Sequence, residues 1–442
     1  MISSNPNPVA SSSAKNIVKT IVHKTALLSF VSITILSTAA SCNWNPFASN
    51  SGNNNLLGGM LKQDPSIKAN SFGKINAVKA INGKTDPEGL TGLSVLKTVQ
   101  INKDLIYILT QQKGVFKTID AGKSWQRVYV FPVVYTEEKD KQKELENSLK
   151  RNDDLVVTNF WVQADKPNIV YISAKDNNVG KIFKTIDGGK TSKEIYASLS
   201  SEASSVDFVV MNPNSDDIVY ALMSKNTLIQ TSDGGKTWQR INDPLKDKDR
   251  IIQIGILPMS QQFYILSEKN GLSTSIDAAS WSKVKLSKTK ADAVVEQPED
   301  TKLQKIQRKV LPTTLPAFKQ FQKIIPISPL AGETSTDKAI TEPAILLADK
   351  EIWFTDDLNT GSLTQIKNIP IEGDKIQIQD VAVDPILGIQ KIYVASGSRL
   401  LVSENSGQTW ANKKINVEGI GTISRITIDK TNPEILYLAL RK

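Results

Sequence analysis

The chain has 442 residues, a formal charge of +9, one cysteine and one histidine. Cys42 and His23 both fall in the N-terminal segment, so the remainder offers no disulfide, no Cys/His metal site and no histidine base, and zinc-hydrolase and Ser-His-Asp chemistry are excluded with them. The lysines are dispersed rather than run together, which argues against nucleic-acid binding, and no cofactor or metal is expected.

A basic, polar stretch with Lys15, Lys19 and Lys24 opens the chain and is followed by an apolar run over 26–40 and then Ser41-Cys42, the order of a secretion signal. Ala39-Ala40-Ser41-Cys42 resembles the bacterial lipobox, although Leu is commoner at the position of Ala39. The resemblance implies a lipoprotein-type signal over 1–41, lipidation of Cys42, and a protein exported and held by lipid on a membrane, facing the periplasm or the cell exterior. The alternative is an uncleaved anchor, for which the run is short. Removing 1–41, which carries three lysines and no acid, lowers the charge from +9 to +6. Residues 42–56 are rich in Asn, Ser and Gly and read as a flexible tether.

Beyond the tether one octapeptide recurs in graded copies. Thr118-Ile-Asp120-Ala-Gly122-Lys-Ser124-Trp125 comes first, then Thr185-Ile-Asp187-Gly-Gly189-Lys-Thr191 with Ser192 in place of Trp, then Thr231-Ser-Asp233-Gly-Gly235-Lys-Thr237-Trp238. Ser275-Ile-Asp277-Ala-Ala-Ser-Trp281 is one residue short, Thr355-Asp-Asp357 is nearly erased, and Ser403-Glu-Asn405-Ser-Gly407-Gln-Thr409-Trp410 has Asn for Asp. The carboxylate and hydroxyl suit a tight turn whose backbone N–H groups need acceptors, Gly supplies positive φ, and Trp covers the turn. With an apolar segment on each side, each copy reads as a hairpin turn.

The residues resemble the Asp-box, or BNR, repeat of sialidases, the sortilin N-terminal propeller, xyloglucanases and the photosystem II stability/assembly factor family. That resemblance implies a β-propeller in which each box joins the third and fourth strands of a blade and is structural, through Asp120, Asp187, Asp233, Asp277, Asp357, Asn405, Trp125, Trp238, Trp281 and Trp410. The spacing agrees, since Asp187, Asp233 and Asp277 are separated by roughly 40 to 50 residues, one four-stranded blade. Ahead of the boxes a second phrase recurs, as in Val206-Asp-Phe-Val-Val-Met-Asn212-Pro213 followed by Ile218-Val-Tyr-Ala-Leu222, which supplies the first two strands.

The chain ends are complementary. Ser424-Arg-Ile-Thr-Ile-Asp429 and Ile435-Leu-Tyr-Leu-Ala439 provide two strands of a last blade, and Gly59-Met-Leu-Lys62 and Phe72-Gly-Lys-Ile75 the missing third and fourth. The expectation is an all-β, seven-bladed propeller of antiparallel four-stranded blades over 57–442, closed by pairing of its termini, although length alone would suggest several domains. Insertions are expected at about 136–153, as a polar helix with Leu145 and Leu149 at helical spacing, and at about 286–320, as a long loop; both should project from the face opposite the boxes.

On that face the turns between second and third strands carry Lys113, Lys175 with Lys181, Lys225, Lys269, Lys350 and Arg399, read as a binding ring for an acidic partner. The functional expectation is a monomeric, non-catalytic scaffold for a protein or polysaccharide, attached to the membrane through lipid only. The alternative is a glycoside hydrolase of sialidase or xyloglucanase type. Few arginines and an aromatic content of 6% weigh against it, but a catalytic carboxylate pair is compatible with the composition.

Overall fold

The computed structural model describes residues 58–441 apart from 64–70, 80–84, 87–88, 134, 200–204, 213–214, 225, 242–244, 246–248, 289–312, 315–320, 328–340, 349, 372–376 and 418. The expected signal and tether, Cys42 and Lys225 therefore lie outside the described residues. From 58 onward the chain forms seven sheets, each with a four-stranded antiparallel core, and is a seven-bladed β-propeller.

Blades 1 to 6 begin at Val95–Gln100, Val156–Val162, Val206–Met211, Ile251–Ile256, Lys323–Pro326 and Ile378–Asp384, each the first of four strands in sequence order. Burial changes radially. Second strands such as Ile106–Thr110, Val219–Met223 and Phe263–Ser267 are buried at every residue because both their faces are covered by neighbouring blades, which is why they read as unbroken apolar runs. Fourth strands such as Gln239–Arg240 and Ser282–Lys283 are short, polar and exposed. The buried apolar side chains form clusters that each draw on two adjacent blades, so the core lies between blades rather than within them.

Blade 7 closes the ring as the complementary ends require. Thr422–Ile428 and Leu436–Arg441 are its first two strands; Gly59–Gln63 pairs antiparallel with the latter, Gly59 opposite Leu440 and Gln63 opposite Leu436, and Phe72–Lys74 is the outer strand. Met60, Leu61 and Phe72 are thereby buried against residues more than three hundred positions away.

The insertions differ from expectation. The helix Gln142–Asp154 exists but is tied down: buried Asn152 accepts from the amides of Val130 and Phe131 at 2.9 Å each, Leu145 is buried, and the Arg151 guanidinium lies 3.9 Å from the Phe131 ring centroid. Most of the second insertion, 289–312 and 315–320, lies outside the described residues. Ser287–Lys288 runs parallel to the outer strand of blade 5 and Thr313–Thr314 pairs with it, making a six-stranded sheet. Val78–Lys79 and Thr85–Asp86 extend blade 1 in the same way. Such pairing satisfies the open edge of an outer strand.

Candidate functional site

Two sets of predicted residues and one set that sequence reasoning missed compete for a functional role. The turns come first. In blade 3 the Thr231 hydroxyl donates to Asp233 Oδ1 at 2.7 Å and accepts from Gly235 N at 2.9 Å. Asp233 Oδ1 also accepts from Lys236 N and Thr237 N at 2.9 Å, and Oδ2 from the Thr237 hydroxyl at 2.7 Å. Asp120 and Asp187 are held by equivalent donors from Ser124 and Thr191. Asp277 retains the amides of Ala279 and Ser280, Asn405 the amide of Thr409 and the hydroxyl of Ser403, and Asp357 the amides of Asn359 and Glu342.

These turns also grip the preceding blade. Gly235 sits at φ +99° and a Cβ there would lie 2.6 Å from Ile195 Cδ1; Gly122, Gly189 and Gly407 bear the same relation to Ile75, Val128 and Ile366. Trp125 Nε1 donates to Ile75 O at 2.6 Å, Trp238 Nε1 to Ile195 O at 3.1 Å and Trp410 Nε1 to Lys367 O at 3.3 Å. In blade 2, where Ser192 replaces Trp, its hydroxyl donates to Val130 O and so keeps the same link. The rings are not equally buried: Trp125 is fully enclosed, whereas Trp238, Trp281 and Trp410 are half-exposed. Trp281 donates only within its own turn, to Ala278 O.

The hydrogen bonds from Thr237 and Thr231 hold the Asp233 carboxyl far below its ordinary range, and the Ser280 and Ala279 amides bring Asp277 to about 2. Burial alone would raise Asp120 and Asp187, but the hydroxyl and amide donors outweigh it. A carboxyl whose folded pKa lies below its unfolded value of 3.8 contributes stability above that value and loses it as pH falls through the folded pKa. Asp233→Asn, which supplies one acceptor as Asn405 does, should therefore be less stable than the parent at pH 7. The gap should close as pH drops from about 4 toward 2. Thermal midpoints across that range test this, and parallel profiles would refute it.

The expected ring of cations on the opposite face is interrupted. Lys113 is paired with Asp153 at 2.7 Å, and Lys181 with Asp176 at 3.0 Å and Glu194 at 2.9 Å. Lys269 is exposed, while Lys350 and Arg399 are half-buried. Acids from the helix after blade 1 and from the strands of blade 2 neutralise what would have been two members of the ring.

The set that sequence reasoning missed lies on the first strands, which line a central cavity of about 1060 Å³. Each blade contributes one residue at an equivalent register: Lys97, Asn159, Phe208 and Gln253 from blades 1 to 4, then Lys323, Asp380 and Arg425 from blades 5 to 7. In all but blade 5 this residue directly follows a β-bulge, an irregularity that re-aims a side chain.

Most of these side chains join one blade to the next. Lys97 Nζ donates to Asn159 Oδ1 and Phe160 O, both at 2.7 Å, and lies 4.9 Å from the Phe160 ring centroid. Gln253 exchanges hydrogen bonds with the backbone of Ile324 at 2.8 and 2.9 Å. Lys323 Nζ donates to Asp380 Oδ1, and Asp380 Oδ2 accepts from Ile426 N at 2.8 Å. Arg425 Nη1 donates to Ser424 O at 2.6 Å. The ring thus holds three cations and one carboxylate. Burial, and then the Arg425 charge, push the Lys97 amine down to about 8. Burial lowers Lys323 as well, partly offset by Asp380.

No protein-family model and no curated protein matches the chain. Solved structures do. A GH74 enzyme from Niastella koreensis aligns at 16% identity and a TM-score of 0.52, over 79% of this chain and 51% of its own. The GH74 xyloglucanase from Xanthomonas campestris aligns at 13% and 0.51, with the same coverages. YCF48 bound to D1 peptide aligns at 14% and 0.48, over 79% of this chain and 93% of its own. The chain spans about half the length of the two GH74 chains. At such identities the likeness is one of fold alone.

Proposed function

We propose that this chain is a non-catalytic, exported binding or assembly propeller, held on a membrane by a lipid at Cys42, for a protein or polysaccharide partner. The observation that carries the reading is the state of the central cavity. Among the described residues that line it Asp380 is the sole carboxylate, and both its oxygens are engaged, by Lys323 Nζ and Ile426 N. Glycoside hydrolysis by the usual route needs a pair of carboxyl groups, about 5 to 10 Å apart, with one free to give or take a proton. The remaining polar groups of the ring suit adhesion better than turnover.

The test combines binding with turnover. The chain from Cys42 onward should retain a specific cell-envelope component with a measurable Kd and release no reducing sugar from xyloglucan or sialosides; turnover abolished by Asp380→Asn would overturn the reading. The lipid is tested separately. Cys42→Ala should abolish lipid labelling and move the protein out of the membrane fraction, and unchanged labelling and fractionation would remove the anchor from the proposal.

A further inference from the structure

The cations of the channel are unequally balanced. Lys323 has a carboxylate partner in Asp380, but among the described residues Lys97 and Arg425, on adjacent blades 1 and 7, have only neutral oxygen acceptors: Asn159 Oδ1 and Phe160 O for the amine, Ser424 O for the guanidinium. That leaves one N–H of the ammonium and most of the five guanidinium donors unused.

Joining blades does not explain this charge. The seam between blades 4 and 5 is bridged by the neutral amide of Gln253, and that between blades 7 and 1 already has the Ser424 hydroxyl donating to Val95 O at 2.5 Å. Arg425 adds no cross-blade bond of its own among the described residues. Like charges gathered in a low-dielectric site are unfavourable unless a counter-charge arrives.

We infer that the central channel binds a small dianion, inorganic phosphate or a short dicarboxylate, between Lys97 and Arg425. The guanidinium fork matches two oxygens of such a group, and the ammonium a third. With Lys323 set against Asp380, Lys97 and Arg425 remain, and the exposed Lys430 adds a further positive charge on the cavity wall, which favours a dianion over acetate or chloride. The inference deepens the binding reading above, because it gives that scaffold a ligand site at its centre.

Calorimetry on the chain from Cys42 onward tests it with phosphate, malonate and acetate at equal ionic strength. Phosphate or malonate should bind in a 1:1 ratio with Kd of about 1 mM or tighter, and acetate at least about tenfold more weakly. Arg425→Gln and Lys97→Met should each weaken the dianion at least about tenfold, while Lys236→Gln in a box turn should not. Without ligand, Arg425→Gln should melt no lower than the parent, since it removes a repelling charge. If either variant failed to fold, a rise in the parent's melting temperature with phosphate but not with chloride would still report the site. Phosphate and malonate distinguish a phosphoryl from a dicarboxylate ligand. No saturable binding of either dianion, or equal losses in the channel and box variants, would overturn the inference. Retention of an envelope component without anion binding would remove the channel site alone, and anion binding without any such retention would remove the scaffold reading alone.

Discussion

A chain that starts after Ile75 should lose its monomeric, cooperatively folding state. It lacks Gly59–Gln63 and Phe72–Lys74, so blade 7 keeps only Thr422–Ile428 and Leu436–Arg441, and the backbone of the latter faces solvent where five register pairs were made. Met60, Leu61 and Phe72 no longer fill the clusters shared with blades 6 and 1. At about 1.5 to 3 kcal/mol for each buried side chain, their loss alone is roughly 5 to 9 kcal/mol, comparable with the whole stability of many domains. The unpaired edge then favours association with other copies. Size-exclusion chromatography with light scattering, alongside thermal unfolding, should find aggregates and no cooperative transition near the parent's midpoint. A monomer with parental stability would mean that the paired ends are dispensable.

Trp125→Ala should be the most damaging single substitution in the box turns. The ring is fully buried with Met60, Phe116 and Tyr437 between blades 7 and 1, and its indole N–H is bound to Ile75 O. Truncation of such a side chain costs about 3 to 5 kcal/mol. Trp238 and Trp410 make the same kind of link from half-exposed positions, and Trp238→Ala should cost roughly 1 to 2 kcal/mol, since less area leaves water. Urea denaturation with a common m-value measures both, and equal losses would separate burial from the damage.

The box turns, the blade count and the closure were legible because each rests on a local demand. A glycine at positive φ, a carboxylate that can reach amides three and four residues on, and half-blades at the two ends are all visible without knowing what lies beside them. Whether a box Trp is buried is set by the preceding blade, so the motif treats Trp125 and Trp410 alike while the structure does not. The partners of the turn cations were hidden for the same reason: Asp153 and Glu194 reach Lys113 and Lys181 from elements whose placement no turn motif encodes. The channel was harder still. Lys97, Asp380 and Arg425 lie on separate first strands, hundreds of positions apart at the extremes, and only closure of the ring brings those strands around one channel. The added outer strands of blades 1 and 5 depend on parallel pairing with a strand not yet made when they are synthesised.

The links made by the box turns all point the same way along the chain. Trp125, Ser192, Trp238 and Trp410 reach Ile75, Val130, Ile195 and Lys367, each of them earlier in sequence, as do the contacts beneath Gly122, Gly189, Gly235 and Gly407. A growing chain therefore meets, at each of these turns, a partner that has already been synthesised, and assembly can advance vectorially from blade to blade without waiting for downstream sequence. The added outer strands of blades 1 and 5 wait for a strand within their own blade, and the closure of the ring breaks the order over the whole chain. The strand Gly59–Gln63 can pair early with Phe72–Lys74, but it meets its other partner, Leu436–Arg441, last, so blade 7 is completed only when the whole ring has been made.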